Sequence, residues 1–179
     1  LWDIAGKAAN LPIYKIIGGA HRDKIEVYGY GMMLRPENIN SLISRFKEES
    51  SEIKEMGFKA LKMKVGVGPR DDIKLIEAVR GGIGDNFRFM VDANHGYTTH
   101  DALYLGRAME EFSPYWFEEP VAPEDLDGYR ELRAALKVNI SGGEAEFNRW
   151  GWRKLLESRG LDIAQPEVCA LGGISEYLR

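Results

Sequence analysis

The sequence of 179 residues has one cysteine, no long uncharged apolar run and no excess of basic residues. The lone Cys169 excludes an internal disulfide framework and fits a reducing, cytoplasmic compartment. No apolar run approaches the ~20 residues that cross a bilayer, so we expect no membrane partner. With 24 basic against 28 acidic residues and a net charge of −4, nothing indicates a nucleic-acid surface. The length suffices for one domain with a substantial apolar core.

Short apolar runs alternate along the chain with segments whose apolar residues recur at helix spacing. Between residues 36 and 56, for example, Ile39, Leu42, Ile43 and Phe46 form one apolar stripe. The apolar runs predict strands at 24–30, 58–65, 87–92, 115–118, 138–141 and 161–165. The segments between them predict helices at 36–56, 71–80, 99–112, 123–136 and 147–158. This alternation predicts an α/β fold with parallel strands, in which chemistry lies at the carboxyl ends of the strands.

Acidic residues stand at the ends of three successive predicted strands. Asp92, Glu118 and Glu144 are separated by 26 and again by 26 residues (118 − 92 and 144 − 118). Three carboxylates that converge at one edge of a sheet repel one another unless a cation lies between them. The spacing therefore favours a cation site, although each acid alone could be a helix cap or a solvated rim charge.

Two lysines end the second predicted strand. Lys62 and Lys64 are two residues apart, so their side chains lie on the same face. Repulsion between two ammonium groups favours the loss of one proton, which gives Lys64 a route to acting as a base. Lysines at a strand end can also be no more than solvated charges.

Five motifs, in order and in register along the chain, resemble the enolase superfamily in its mandelate racemase and muconate lactonizing branch. They are Lys62-x-Lys64, Val91-Asp-Ala-Asn94, Trp116-Phe-Glu-Glu-Pro120, Gly142-Gly-Glu144 and Gln165-Pro with Gly172-Gly173. The resemblance implies a partial (β/α)8 TIM-type barrel without the capping domain and the last two strands. Residues 1–23 would then be a helical lead-in, and residues 24–179 an incomplete barrel catalytic domain.

The resemblance also implies one Mg²⁺ ion, held by Asp92, Glu118 and Glu144. Oxygen ligands suit this hard cation. Lys64 would abstract a proton next to a substrate carboxylate, with Lys62 beside it, since members of this superfamily use a lysine or histidine base with a metal-stabilised ene-diolate. The substrate-binding residues implied are Asn94, His95 and Glu167. Many members have an aspartate that orients a histidine where this chain has Glu167, so the sequence departs from the pattern there.

These expectations leave three functions open. The first is dehydration of a sugar acid, an aldonate or aldarate, to a 2-keto-3-deoxy product. The second is a racemase, epimerase or cycloisomerase reaction with the same first step, and the third is an inactive truncated fragment or interaction module. The expected partners are a small-molecule carboxylate substrate and, as the resemblance implies, further copies of the full-length protein in a homo-oligomer.

Other side chains carry weaker expectations. Alternation along a strand points Glu119 away from Glu118, so we assign Glu119 a structural or supporting role. Cys169 is expected to be a buried small apolar residue, and His21 and His100 are expected at the surface. Several aromatic residues are expected in the core: Tyr115, Trp116, Phe117, Trp150 and Trp152.

Overall fold

The computed structural model describes residues 1–179 and contains one sheet of six parallel strands that follow chain order. The strands are β1 Gly29–Tyr30, β2 Ala60–Lys64, β3 Arg88–Asp92, β4 Trp116–Glu118, β5 Asn139–Gly142 and β6 Ile163–Ala164. The α/β architecture that the sequence predicts, with parallel strands and alternating helices, is therefore confirmed.

Five of the eight helices connect successive strands, while two precede β1 and one follows β6. The helices are α1 Trp2–Ala9, α2 Ile13–Ile16, α3 Ile39–Glu55, α4 Pro69–Ile83, α5 Thr99–Met109, α6 Leu126–Ala135, α7 Arg149–Ser158 and α8 Ile174–Tyr177, and a 3-10 turn at Glu110–Phe112 continues α5. Polar side chains cap several of them: Asn38, Thr98, Asp125 and Asn148 each accept a hydrogen bond from a backbone N–H of the first turn. Such caps satisfy donors that the helix itself leaves free. None of the helices combines the length and apolarity that a bilayer crossing requires.

The two faces of the sheet differ in polarity because side chains alternate along a strand. On β2 and β3, Leu61, Met63, Phe89 and Val91 are fully buried and belong to one core of 25 residues shared with the helices. The apolar stripes of α3, α4 and α5 close this core from outside. The alternate positions face the other side of the sheet, where polar residues accumulate toward the carboxyl ends.

The two edge strands are shorter than the sequence predicts. β1 and β6 have two residues each, against predictions of 24–30 and 161–165. An edge strand pairs on one side only, and most of the residues before Gly29 lie beyond the start of its single neighbour, β2, at Ala60. Ile25 and Val27 precede the paired part of β1 and are 79% and 68% exposed.

Three predictions about burial are wrong. Cys169 is exposed, because it lies in the turn that follows β6 rather than in the sheet. Tyr115 is 43% exposed and packs against the Arg88 guanidinium at the start of β4. Trp150 is 63% exposed in the first turn of α7. Phe117 and Trp152 are buried, and His21 and His100 are exposed, as expected.

Candidate active site at the carboxyl ends of the strands

The strand register brings four polar residues to the same level at the carboxyl edge. Lys64 pairs with Asp92, Asp92 with Glu118, and Glu118 with Ser141, each on the next strand. Neighbouring residues of a parallel sheet point to the same face. Lys64, Asp92, Glu118 and Ser141 therefore form a continuous polar row across β2–β5.

The two lysines and the first two acids form a buried network of ion pairs. The Lys62 Nζ lies 2.6 Å from Glu118 Oε1 and 2.9 Å from Asp92 Oδ2, and the Lys64 Nζ lies 2.6 Å from the same Asp92 oxygen. The carboxylates are only 1% and 2% exposed, so solvent screens these charges weakly. Lys64 also contacts the side-chain oxygen of Asn94.

Each carboxylate in this network has a second donor. The Trp116 Nε1–H donates to Glu118 Oε2 at 2.9 Å, and the backbone N–H of Asn94 donates to Asp92 Oδ1 at 3.0 Å. Buried carboxylates are stable when their oxygens are paired in this way. Asp92 and Glu118 are consequently held in fixed positions.

The electrostatics of the network keep Lys62 charged. Burial by itself would lower the pKa of Lys62, but hydrogen bonds and the negative charges of Glu118 and Asp92 outweigh it and raise the pKa above its usual value. For Asp92, burial would raise the pKa, and the two lysine amines lower it below the usual value. At Lys62 the neighbouring acids therefore act more strongly than the burial of the amine, and the repulsion between the two lysines stays a prediction about Lys64.

The structure does not bring Glu144 or Glu167 into this network. Glu144 is exposed and makes no hydrogen bond or ion pair. Glu167 is also exposed, and its Oε1 accepts a hydrogen bond from the Cys169 backbone N–H at 2.7 Å. No three His, Cys, Asp or Glu side chains lie close enough together to hold a metal ion. Of the three acids predicted as metal ligands, Asp92 and Glu118 adjoin and Glu144 stands apart.

The position of Glu144 has a cause in the backbone. The register partner of Glu118 is Ser141, three residues before Glu144, so the equal spacing in sequence does not give equal height on the sheet. Gly142 ends β5, and Gly143 turns the chain with a φ of 114°. A Cβ at residue 143 would overlap the Trp152 ring, so the turn requires glycine.

Glu119 is the residue that sequence reasoning undervalued. It follows β4 with a φ of 41°, so strand alternation no longer describes it. Its carboxylate is 1% exposed, and Oε2 lies 2.7 Å from the Nε2 of His95. Apart from this contact, neither buried oxygen of Glu119 has a hydrogen-bond partner. No sequence signal indicates this conformation, because Pro120 favours an extended backbone at the residue before it.

Burial is the main reason that the pKa of Glu119 is raised. The charges of Glu144 and Asp92 raise it further, and the contact with His95 partly offsets both. The pKa of Glu119 therefore depends on the buried Asp92 as well as on the exposed Glu144.

A further buried carboxylate, that of Asp72, joins two loops at the same edge. Asp72, fully buried in α4, accepts hydrogen bonds from the backbone N–H groups of residues 66–68, directly after β2. The Tyr97 hydroxyl, from the loop after β3, donates to Asp72 Oδ2 at 2.5 Å. This contact ties the segment that follows Lys64 to the loop that carries Asn94 and His95.

Comparison with known proteins gives matches along the whole chain. The family model described as enolase C-terminal domain-like matches residues 45–179. The D-galactarolactone cycloisomerase of Agrobacterium fabrum is 41% identical over 176 residues, which are 98% of this chain and 46% of that protein. The arabinonate dehydratase of Saccharolobus solfataricus is 36% identical over 180 residues, 100% of this chain and 47% of that protein. The chain thus spans about half the length of the curated relatives it matches.

Solved structures match equally well. The 3,6-anhydro-D-galactonate cycloisomerase from Zobellia galactanivorans has a TM-score of 0.90 and 45% identity, covering 99% of this chain and 48% of that one. A mutant L-talarate/galactarate dehydratase, solved with Mg and L-glucarate, has a TM-score of 0.84 and 33% identity, covering 99% and 44%.

Proposed function

Because this chain belongs to the enolase C-terminal domain-like family, we propose that it forms most of the catalytic barrel of an enzyme that removes a proton next to a substrate carboxylate. The reaction we propose is the dehydration of a sugar acid, an aldonate or aldarate, to a 2-keto-3-deoxy product. Relatives named arabinonate dehydratase and L-talarate/galactarate dehydratase support this substrate class. In this proposal residues 1–23 lead into the barrel and residues 24–179 belong to it.

The observation that carries the proposal is the buried network of two lysines and two acids on β2–β4. Lys64 is the residue we assign as the base, since its amine contacts Asp92 and Asn94 at the open end of the strands. The neighbouring Lys62 stays charged and can stabilise negative charge on the substrate carboxylate. Such a division of roles between two lysines suits abstraction of a weakly acidic proton.

The donor set has the chemistry that a divalent cation requires, although Glu144 stands apart from Asp92 and Glu118 in this structure. Asp92 and Glu118 lie against two lysine ammonium groups, and burial and the charges of Glu144 and Asp92 all raise the pKa of Glu119. All the candidate donors are oxygens, which Mg²⁺ prefers. We propose that Asp92, Glu118 and Glu144 hold the ion. When bound, it would neutralise the charge that proton removal creates on the substrate carboxylate.

The bond changes balance without any further reagent. Lys64 takes the proton from the carbon next to the carboxylate, and the electron pair of that C–H bond forms a C=C bond. The hydroxyl on the next carbon leaves with its bonding electron pair, takes up a proton from the solvent and departs as water, and the proton that Lys64 took is released to the solvent. The remaining enol tautomerises to the 2-keto acid. Asn94, His95 and Glu167 are the residues we propose for contacts with substrate hydroxyls.

A second candidate function is favoured by the two cycloisomerases at 41% and 45% identity. A cycloisomerase would use the same proton abstraction and differ in the fate of the intermediate. The same holds for a racemase or epimerase. For each of these functions we propose a homo-oligomer in a reducing compartment, acting on a small carboxylate.

The test is incubation of the protein with Mg²⁺ and a panel of aldonates, aldarates and their lactones in deuterated water. Formation of 2-keto-3-deoxy acid supports dehydration. Deuterium at the α-carbon with isomerised product, and no elimination, supports the cycloisomerase or racemase reaction. Neither deuterium nor product across the panel, with no change in thermal stability on adding Mg²⁺, would favour the inactive module and overturn both enzyme proposals.

A further inference from the structure

The carboxyl edge has a second charged pair, which the lysine network does not include. The imidazole of His95 lies 2.7 Å from the buried carboxylate of Glu119. The backbones of the same two residues also meet, since the His95 N–H donates to the Glu119 carbonyl oxygen at 2.8 Å. The loop after β3 and the end of β4 are therefore joined both through the main chain and through side chains.

The backbone around this pair is unusual. Asn94, His95 and Glu119 are non-glycine residues with φ values of 41°, 64° and 41°. Left-handed conformations are unfavourable for residues with a side chain and persist where the surroundings impose them. Two of these residues are consecutive, which concentrates the strain in the loop that places His95 directly after Asp92 and Asn94.

Burial sets the role of each partner. Glu119 is 1% exposed, and apart from the His95 contact its oxygens have no hydrogen-bond partner. A buried carboxylate in this condition is costly unless a neighbouring charge compensates it. The His95 side chain, by contrast, is 36% exposed. A buried acid that contacts a partly exposed imidazole through one nitrogen fixes that ring, and the second nitrogen remains for another ligand.

From this geometry we propose that Glu119 is a positioning residue, which holds His95 by Nε2 so that its Nδ1 contacts a substrate hydroxyl. The inference rests on the proposed function for the identity of that hydroxyl, which would be the one lost as water. His95 lies one residue beyond Asn94, whose side chain contacts the Lys64 amine. Lys64 at the α-carbon and His95 at the hydroxyl of the next carbon would therefore act from neighbouring positions. Glu119 itself would not touch the substrate.

The first experiment is independent of activity. Histidine-specific ¹⁵N labelling of the protein gives ring signals from His21, His95 and His100, and the variant His95→Gln identifies those of His95. In the unsubstituted protein the hydrogen of His95 is expected on Nε2. In Glu119→Gln, which keeps the side-chain volume, the His95 ring signals are expected to shift toward those of a free imidazole, while those of His21 and His100 stay in place.

The matched control is Glu124→Gln, which removes the same charge from an exposed glutamate of the neighbouring loop and is expected to leave His95 unchanged. Identical His95 signals in the unsubstituted protein and in folded Glu119→Gln would overturn the inference. Should Glu119→Gln fail to fold, Glu119→Asp, whose shorter side chain retracts the carboxylate, serves the same comparison.

The second experiment separates positioning from general support of the fold. With an accepted sugar acid, Glu119→Gln is expected to lower product formation about tenfold or more, and to lower α-deuterium exchange by clearly less. Equal losses in both rates would mean that Glu119 merely supports the site, and would overturn the inference. If the unsubstituted protein accepts no sugar acid, the proposed function fails, and the ¹⁵N comparison still decides whether Glu119 positions His95.

Discussion

The two halves of the carboxyl edge hold their acids in opposite ways. On β2–β4, Asp92 and Glu118 are buried and lie 2.6–2.9 Å from lysine amines. In the segments after β5 and β6, Glu144 and Glu167 are exposed and contact neither lysine. The difference teaches that a carboxylate at a strand end becomes part of a preorganised site only when the register places a partner beside it.

The β5–β6 half has unpartnered polar atoms instead of charge pairs. The Ser141 Oγ and the Gln165 Oε1 are buried and have no hydrogen-bond partner. Ser141 belongs to the same polar row as Glu118, on the adjacent strand. The comparison therefore predicts large effects for substitutions on β2–β4 and smaller, ligand-dependent effects for those on β5.

The largest effect is expected for Lys64→Ala. Loss of the proposed base should reduce α-deuterium exchange of an accepted sugar acid about 10³-fold, measured by NMR. The matched control is Lys59→Ala, which removes an exposed lysine just before β2 and should leave the rate unchanged. Comparable rates in Lys64→Ala and the unsubstituted protein would contradict the assignment of Lys64 as the base.

The next effect concerns stability and compares Glu118→Gln with Glu144→Gln. Glu118→Gln should lower the free energy of unfolding by about 3 kcal/mol, because Lys62 then stays buried with less compensation. Glu144→Gln should change it by less than about 0.5 kcal/mol, since the side chain is exposed and has no partner. Denaturant unfolding without Mg²⁺ measures both. Equal losses would contradict the distinction between the two halves.

The affinity for Mg²⁺ should depend on Glu144, in contrast to the stability measured without Mg²⁺. If the loop carboxylate completes the proposed metal site, Glu144→Gln should weaken Mg²⁺ binding by at least about tenfold, as determined by titration calorimetry. Glu146→Gln, a substitution two residues further along the same loop, is the control. An unchanged Mg²⁺ affinity in Glu144→Gln would count against the metal site.

The smallest effect is expected for Tyr97→Phe. Removing the hydroxyl takes one hydrogen bond from Asp72, which keeps those from residues 66–68. The expected loss is about 1 kcal/mol in the free energy of unfolding, with the control Tyr104→Phe, an exposed tyrosine of α5, near zero. A Tyr97→Phe protein as stable as the unsubstituted one would show that the joint between the two loops adds nothing to stability.

The fold was readable from the sequence because apolar periodicity is a local property. The alternation of strands and helices predicted the parallel sheet, and the family resemblance drawn from five motifs is confirmed. Strand length was less readable, because it depends on the partner strand. This explains why only the last two residues of the predicted 24–30 strand pair with β2.

At the candidate site, sequence spacing predicted which residues lie at the same edge of the sheet. It did not predict the level of each residue along the strand direction. The convergence of Lys62, Lys64, Asp92 and Glu118 followed from strand ends and alternation. Glu144 lies three residues beyond Ser141, the register partner of Glu118. This could not be predicted, because the spacing of residues along the chain does not say which residues of two strands pair. The contact between Glu119 and His95 could not be predicted, because the left-handed backbone of Glu119 ends the alternation of the strand.

Gly143 has a consequence for how this protein can change. Its positive φ and the Trp152 ring, which occupies the place of a Cβ, exclude side chains for two separate reasons. A library randomised at position 143 alone should return glycine, whatever the selection. Removing the Trp152 ring would relieve only the overlap and would leave the positive φ, so changes that reorient the loop carrying Glu144 are expected at positions other than 143.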